Sequence, residues 1–187
     1  MMYFTSDTHF DHGNIIIYCK RPYKTVWDMN EAMIKNWNER IKPNDTVYHL
    51  GDFAFAGKER MAEIGARLNG KKYLKMGNHD KGRKRLIGAG FKSIIRPESQ
   101  TVMSLSGIHV RLSHYPYRYK FEDGQKRDFP AAPEDDGTIL LCGHVHEKWK
   151  HKNRMINVGV DVWDYKPVSE DEIVEYIQKH ILKGDKK

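Results

Sequence analysis

Ile139-Leu140-Leu141-Cys142-Gly143-His144-Val145-His146 sets four apolar residues, enough for a short buried strand, before a glycine and a His-x-His pair. The glycine lets the backbone bend sharply, so both imidazoles face one cavity as they leave the strand. Histidines emerging there need partners, and a metal satisfies them well. Outward from this stretch the pattern recurs. Met2-Tyr3-Phe4-Thr5 leads to Asp7-Thr8-His9, and Val47-Tyr48-His49-Leu50 leads to Gly51-Asp52. Tyr73-Leu74-Lys75-Met76 leads to Gly77-Asn78-His79-Asp80, and His109-Val110-Arg111-Leu112 leads to Ser113-His114. Open α/β sheets place their ligands at strand ends. Several ends that gather imidazoles, carboxylates and one amide point to a two-metal hydrolytic centre.

Between these strands, helical stripes alternate with them through the first half. Thr25 to Ile41 reads as a helix capped by Thr25 with Asp28 three residues on, and Trp27, Met33, Ile34, Trp37 and Ile41 form its apolar stripe. Lys58 to Leu68 is a second helix, stopped by Asn69-Gly70. A short basic helix spans about Lys81 to Leu86. The second half is richer in strands. Ser99 to Ser104 and Ile108 to Ser113 flank a turn at Leu105-Ser106-Gly107, and Met155 begins a further strand. Tyr115 to Gly137 reads as a long loop, and a loop of that length in a compact domain is usually functional or mobile. Ser169-Glu170-Asp171-Glu172 opens the last helix, to about Leu182. Periodicity alone gives an α/β class with mixed sheets allowed.

Length and composition fit one domain over 1–182, with 183–187 as a basic disordered tail. No apolar run is long enough to span a bilayer, and the N-terminus opens directly into a strand rather than a signal peptide. Cys19 and Cys142 form no CxxC pair, and Cys142 sits inside an apolar strand as a small hydrophobe; a reducing cytoplasm fits best. The net charge of +7 favours anionic partners, phosphate-bearing molecules and nucleic acid among them, without selecting one.

Taken singly, the polar segments have ordinary readings. Asp7 and His9 make a turn with a solvated histidine as readily as a ligand pair, and a lone Gly51-Asp52 is a turn. Gly77-Asn78-His79-Asp80 suits a Gly-Asn turn with a solvated His-Asp pair. In concert they make chemical sense. A single carboxylate such as Asp52 bridges two cations held roughly 3.5–4 Å apart. Asn78 is a poor ligand unless carboxylates have supplied the charge, so it belongs beside a cation that Asp52 bridges. His79 is then free of metal and aimed at substrate, with Asp80 fixing its tautomer.

The order DxH, GD, GNHD, H, GHxH, running from about Met2 to Asp161, resembles the calcineurin-like metallophosphoesterases. Phe10-Asp11-His12-Gly13-Asn14-Ile15, Arg21-Pro22 and Leu50-Gly51-Asp52-Phe53 resemble a small single-domain branch found in bacteria and phages. The resemblance implies an α/β fold of four layers, αββα, with two mixed β-sheets flanked by helices and a dinuclear site at the strand ends. By motif, Asp7, His9 and His146 hold the first metal, Asn78, His114 and His144 the second, and Asp52 bridges both; His144 and His146 could be exchanged. His79 is the general acid and Asp80 its orienting partner. The ions are two divalent transition metals, manganese first, with iron, zinc or nickel as alternatives. A hydroxide formed near neutral pH then attacks phosphorus in line while His79 protonates the departing oxygen.

Around this core, His12 and Asn14 are candidates for substrate contact, with a hydrogen-bonded turn as the plain alternative. Arg21, Arg118 and Lys120 are candidate phosphate contacts, and otherwise solvated charges. His49 reads as a buried, hydrogen-bonded histidine, and Lys81, Arg83, Lys84 and Arg85 as a solvated basic face, with steering of a polyanion as the alternative. Tyr115, Tyr117, Tyr119 and Phe121 alternate with Arg118 and Lys120, which suits either stacking on a nucleobase or packing on the domain. Asn157 and Asp161 are expected to support the site without entering it.

The expected activity is phosphoester hydrolysis on a phosphorylated small molecule or nucleotide, with nucleic acid allowed and no membrane partner. A phosphodiesterase acting on nucleotides or nucleic-acid ends is favoured over a protein phosphatase. That branch of the family carries an Asp-Arg-Gly run after its GD segment, and Gly51-Asp52-Phe53-Ala54-Phe55-Ala56 has no such arginine. A small-molecule phosphomonoesterase and a catalytically silent binding module on the same fold are the alternatives. Nothing in the pattern fixes an oligomeric state.

Overall fold

In the computed structural model, which describes residues 1–118, 129 and 131–182, the first half of the chain alternates strand and helix. It runs β1 (Met2–Thr5), α1 (Gly13–Tyr18), α2 (Val26–Arg40), β2 (Thr46–His49), α3 (Lys58–Arg67), β3 (Lys71–Lys75), α4 (Arg83–Gly88) and β4 (Phe91–Ile95). The second half runs β5 (Val102–Leu105), β6 (Ile108–Leu112), β7 (Ile139–Cys142), β8 (His151–Lys152), β9 (Met155–Asn157), β10 (Val168–Ser169) and α5 (Glu170–Ile177). Crossover helices return each early strand parallel to the last. The first sheet therefore has the order β10-β1-β2-β3-β4, with only β10 antiparallel. The second has the order β5-β6-β7-β9-β8, with parallel β6, β7 and β9 between two antiparallel edges. Two mixed five-stranded sheets with helices form the α/β sandwich that the sequence led us to expect.

Packing follows the side-chain alternation. Tyr3, Val47 and Leu74 turn to one face of the first sheet, where Met33, Ile34 and Trp37 of α2, Met61 and Ile64 of α3 and Leu86 of α4 cover them. Phe4 and Leu50 turn to the other side and share a core with Val110, Leu112, Leu141 and Ile156 of the second sheet and Ile173 and Ile177 of α5. On the second sheet's remaining face, Leu140, Cys142 and Met155 lie under Tyr117 and Trp149.

Local chemistry accounts for the boundaries. Thr25 and Asp28 form the expected capping box on α2, and Ser169 and Glu172 form the one on α5. Trp27 does not belong to the buried stripe of α2: in the first turn it stays 63% exposed, and Met29 fills the core instead. Ser106 and Gly107 both take positive φ, the geometry a tight hairpin needs, and close β5 onto β6. Lys72 caps α3, its ammonium donating to the carbonyls of Gly65 and Leu68. The edge elements β4, β8 and β10 and the helix α1 were not foreseen. Of the alternating aromatics, Tyr115 and Tyr117 are buried, whereas Tyr119, Lys120 and Phe121, like the 183–187 tail, lie outside the described residues. Among the described residues no helix is long and apolar enough to cross a membrane.

Lys75 is nearly fully buried, its ammonium bonded to the Ser99 carbonyl, and burial pushes its pKa down to about 8. The unfolded chain holds this proton up to about pH 10.5 and the folded chain only to about 8. Stability therefore rises with pH between these values as the folded cost of the charge disappears. Lys75→Met is expected to stabilise the protein at pH 7 by about 1–3 kcal/mol and to flatten that rise. Urea titrations of both chains from pH 7 to 10.5 check this; parallel curves refute it.

Candidate metal centre

All the polar segments sit at carboxyl ends of parallel strands. Asp7 and His9 follow β1, Asp52 follows β2, and Asn78 and His79 follow β3 on the first sheet; His114 follows β6, and His144 and His146 follow β7 on the second. The backbone turns abruptly at these ends. Asp7, His9, Asp52, His144 and His146, five of the seven expected ligands, have φ between 48° and 70°. Non-glycine residues rarely hold this left-handed conformation, which costs about 1–3 kcal/mol each and gathers at functional sites. Close approach is the other requirement. A Cβ on Gly143 would overlap Ser6 Oγ and the Asp7 carboxylate, so no larger residue lets the His144 N–H reach that carboxylate, which it does at 2.9 Å.

The donor set fits a pair of cations. Asp7, His9 and His146 converge, as do Asp7, Asp52 and His114, with ligand atoms of each trio within 4.8 Å of one another. Asp52 Oδ2 lies 3.5 Å from His9 Nε2 and 3.5 Å from His114 Nε2, between the two groups. Asn78 Oδ1 lies 3.0 Å from His114 Nε2 and 3.1 Å from His144 Nδ1. These atoms are mostly acceptors facing acceptors. His114 Nδ1 lies 2.8 Å from the Leu50 carbonyl, which only accepts, so the ring proton sits there and the Nε2 lone pair points at Asn78 and Asp52. His9 Nε2 is buried and has no hydrogen-bond partner among the described residues. Lone pairs gathered in this way suit a cation, since ligand atoms on one ion at about 2.1 Å stand about 3 Å apart.

Protonation states agree with ligation. Burial, joined by the charges of His146 and Arg21, pushes His9 far down; burial and the neighbouring imidazoles hold His144 down to about 3. Both rings are neutral and ready to bind metal without releasing a proton. Burial also lowers His146, but hydrogen bonds to Asp161 and Cys19 and the charge on Asp7 outweigh it and lift this ring to about 11. Left alone, the carboxylates keep a proton there that a divalent cation would replace.

The supports are as specific as the ligands. His146 Nδ1 lies 3.3 Å from Asp161, the carboxylate contact that orients a metal-binding imidazole. Asn157 is fully buried, donates to the carbonyls of His146 and Trp149 and fixes the loop after β7, so both expected supports act from outside the centre. His49 is fully buried as expected: the Gly51 N–H donates to Nδ1 and Nε2–H bonds Thr8 Oγ1, tying the first two strand-end loops together. Tyr115 and Phe129 stack on each other, with the Phe129 ring 4.5 Å from that of His144.

Three expected roles change. The Asp80 carboxylate accepts the backbone N–H groups of Asp52, Phe53 and Gly77, so it pins two loops together, and among the described residues none of its hydrogen bonds reaches the His79 ring. Arg21 is not at the mouth. It is 3% exposed, and all its N–H groups are taken: Nε and Nη2 by Asp161, Nη2 also by the Asp7 carbonyl, and Nη1 by the Thr8 carbonyl and Met29 Sδ. Arg118 donates from Nε to the Ala132 carbonyl and pairs with Glu134. His12 does approach the centre, its Nδ1 3.4 Å from His9 Nδ1, whereas Asn14 stays exposed at the start of α1. His79 keeps the expected position: its backbone N–H holds Asp52 Oδ1 at 2.9 Å, and its exposed ring stands 5.5 Å from that of His9. The supporting place of Arg21, and that of the Cys19 thiol, which joins His146 and Asp161 in a third convergent trio, were not read from the sequence because neither lies in a strand-end segment.

Residues 1–165 match the family model described as the calcineurin-like phosphoesterase superfamily domain. The chain is 35% identical to an uncharacterized protein of Methanocaldococcus jannaschii, over 95% of this chain and 92% of that one. It is 29% identical to the gene 66 protein of Mycobacterium phage L5, over 94% and 93%. A crystal structure of a protein of unknown function from Aquifex aeolicus superposes with a TM-score of 0.73 at 35% identity, covering 95% of this chain and 99% of that one.

Proposed function

Because the chain belongs to the calcineurin-like phosphoesterase superfamily, we propose that it is a dinuclear metal-dependent phosphoesterase, cleaving phosphodiesters of nucleotides or nucleic-acid ends. The observation that supports this is the placement of Asp52 Oδ2, equidistant from His9 and His114 between the two groups of candidate ligands. Asp7, His9 and His146 would hold one ion and Asn78, His114 and His144 the other, with Asp52 between them; manganese is the ion to try first. When bound, such a pair supplies Lewis acidity toward phosphoryl oxygens and a hydroxide nucleophile near neutral pH.

The chain's own residues do the rest. Asp52 takes the His79 N–H on Oδ1 and keeps Oδ2 for the metal side, so one carboxylate fixes both the ligand cluster and the residue that faces substrate. Asp80 locks the backbone of that turn, which leaves the His79 ring free to adjust to the substrate. His79 then delivers a proton to the departing oxygen or stabilises its charge. Tyr115 and Phe129 wall the His144 side, limiting water there.

Metal analysis of the purified protein, with turnover of bis-p-nitrophenyl phosphate in manganese, iron, zinc and nickel, tests this reading. Two ions per chain without turnover of any ester would point instead to a silent binding module. His79→Ala is expected to keep its metal and lose roughly 10²- to 10⁴-fold in kcat on an alkyl diester, with a smaller loss on the p-nitrophenyl ester, whose leaving group needs no proton. Normal rates on the alkyl ester would remove His79 from the mechanism.

A further inference from the structure

Beside His79 opens a cavity of about 420 Å³ whose walls include Phe55, Met61, Lys81 and Arg85, and no Asp or Glu among the described residues lines it. Phe55 is 59% exposed. It is nevertheless held: His12 stacks on it with ring centroids 4.8 Å apart and planes 24° from parallel, and the His79 ring lies 6.3 Å away. Arg85 departs from the solvated face expected for its basic run. It folds back so that Nη2 donates to the Ala56 carbonyl, while its buried Nε has no partner among the described residues. Lys81 stands exposed on the rim.

Each part asks for a different portion of a ligand. A braced, exposed aromatic face is a stacking platform, sequence-tolerant because every base offers a π-face. Two cationic side chains, Arg85 and Lys81, on a wall that no carboxylate among the described residues shares, ask for an anion. Both features adjoin the residue that protonates the departing oxygen, so they lie on the leaving-group side of the reaction.

We propose that this cavity receives the leaving group and that this group is a nucleotide bearing a phosphate beyond the scissile one. Its base stacks on Phe55, and its additional phosphate meets Arg85 and Lys81. This assignment rests on the phosphoesterase reading above. Water's oxygen ends on the scissile phosphorus, the bond from that phosphorus to the nucleotide oxygen breaks, and the proton from His79 goes to that oxygen.

Calorimetric titration of the manganese-loaded protein with ribose 5-phosphate, adenosine 5′-monophosphate and adenosine 3′,5′-bisphosphate separates the contributions, because all three share one phosphate contact with the metal side. The base is expected to tighten binding at least about tenfold, and the second phosphate at least about tenfold again. Phe55→Ala should abolish the first step, and Arg85→Gln or Lys81→Gln should abolish or sharply reduce the second. Lys81, on the rim, keeps the second step testable if Arg85→Gln does not fold. Equal affinities for the three probes, or steps untouched by these variants, overturn the assignment. Turnover of bis-p-nitrophenyl phosphate by the unaltered chain reads the phosphoesterase activity on its own. Turnover with equal affinities sinks the subsite alone; graded affinities without any turnover sink its leaving-group role.

Discussion

Asp52→Asn is expected to cut kcat for phosphodiester hydrolysis at least about a thousandfold, roughly 4 kcal/mol of barrier, and to lower bound metal from about two ions per chain to about one or fewer. The amide keeps the shape of the side chain and can still accept the His79 N–H, so the turn should survive. What it loses is the negative charge between His9 and His114, both 3.5 Å from the same oxygen. A counter-signature separates this from a folding defect. Asp52 is 2% exposed, and a buried carboxylate without a cation is a cost that the amide lacks. The variant should therefore melt no lower than the parent in chelator, yet gain far less stability than the parent when manganese is added. Elemental analysis and paired melting curves read both effects. Full turnover, or an unchanged gain from manganese, would remove Asp52 from the centre.

Arg21→Met should produce the largest loss of stability, about 3–5 kcal/mol, because it strands a buried charge. Asp161 is almost wholly buried, and burial pushes its carboxyl up; His146 and Arg21 more than reverse this, holding it ionised. Removing the guanidinium leaves that anion with only the 3.3 Å contact to His146, and leaves the carbonyls of Asp7 and Thr8 without donors among the described residues. Replacing both partners, as in Arg21→Met with Asp161→Leu, removes the stranded charge and should recover part of the loss, although the two carbonyls stay unsatisfied. Urea denaturation of the two single variants and the double variant gives the comparison. A single variant within about 1 kcal/mol of the parent would mean that the pair contributes little.

The candidate ligands were legible because each cluster is continuous with a strand whose apolar run ends in it. Asp7, Asp52, Asn78, His114 and His144 could be found without knowing the order of strands in either sheet. The edges were not legible in the same way. Residues Val168–Ser169 and His151–Lys152 are too short to carry a period, and Phe91–Ile95 follows a helix with no turn residue beyond Gly90 to announce it. Nor can spacing tell a buried arginine from a solvated one when its partner lies 140 positions on, as Asp161 does for Arg21. Asp80 shows a subtler failure. Adjacency to His79 suggests that one side chain orients the other, but neighbours in a turn diverge, and this carboxylate found backbone N–H groups instead. Whether Phe55 would be buried or braced in the open depended on His12, a contact between two loops that no local pattern encodes.

Because the two β-sheets contribute ligands from opposite sides, the cations would act as a rivet through the sandwich. Asp7, His9, Asp52 and Asn78 come from one plate and His114, His144 and His146 from the other. Sliding one plate past the other shears the coordination sphere, so mechanical coherence between the halves and catalytic competence would be lost together.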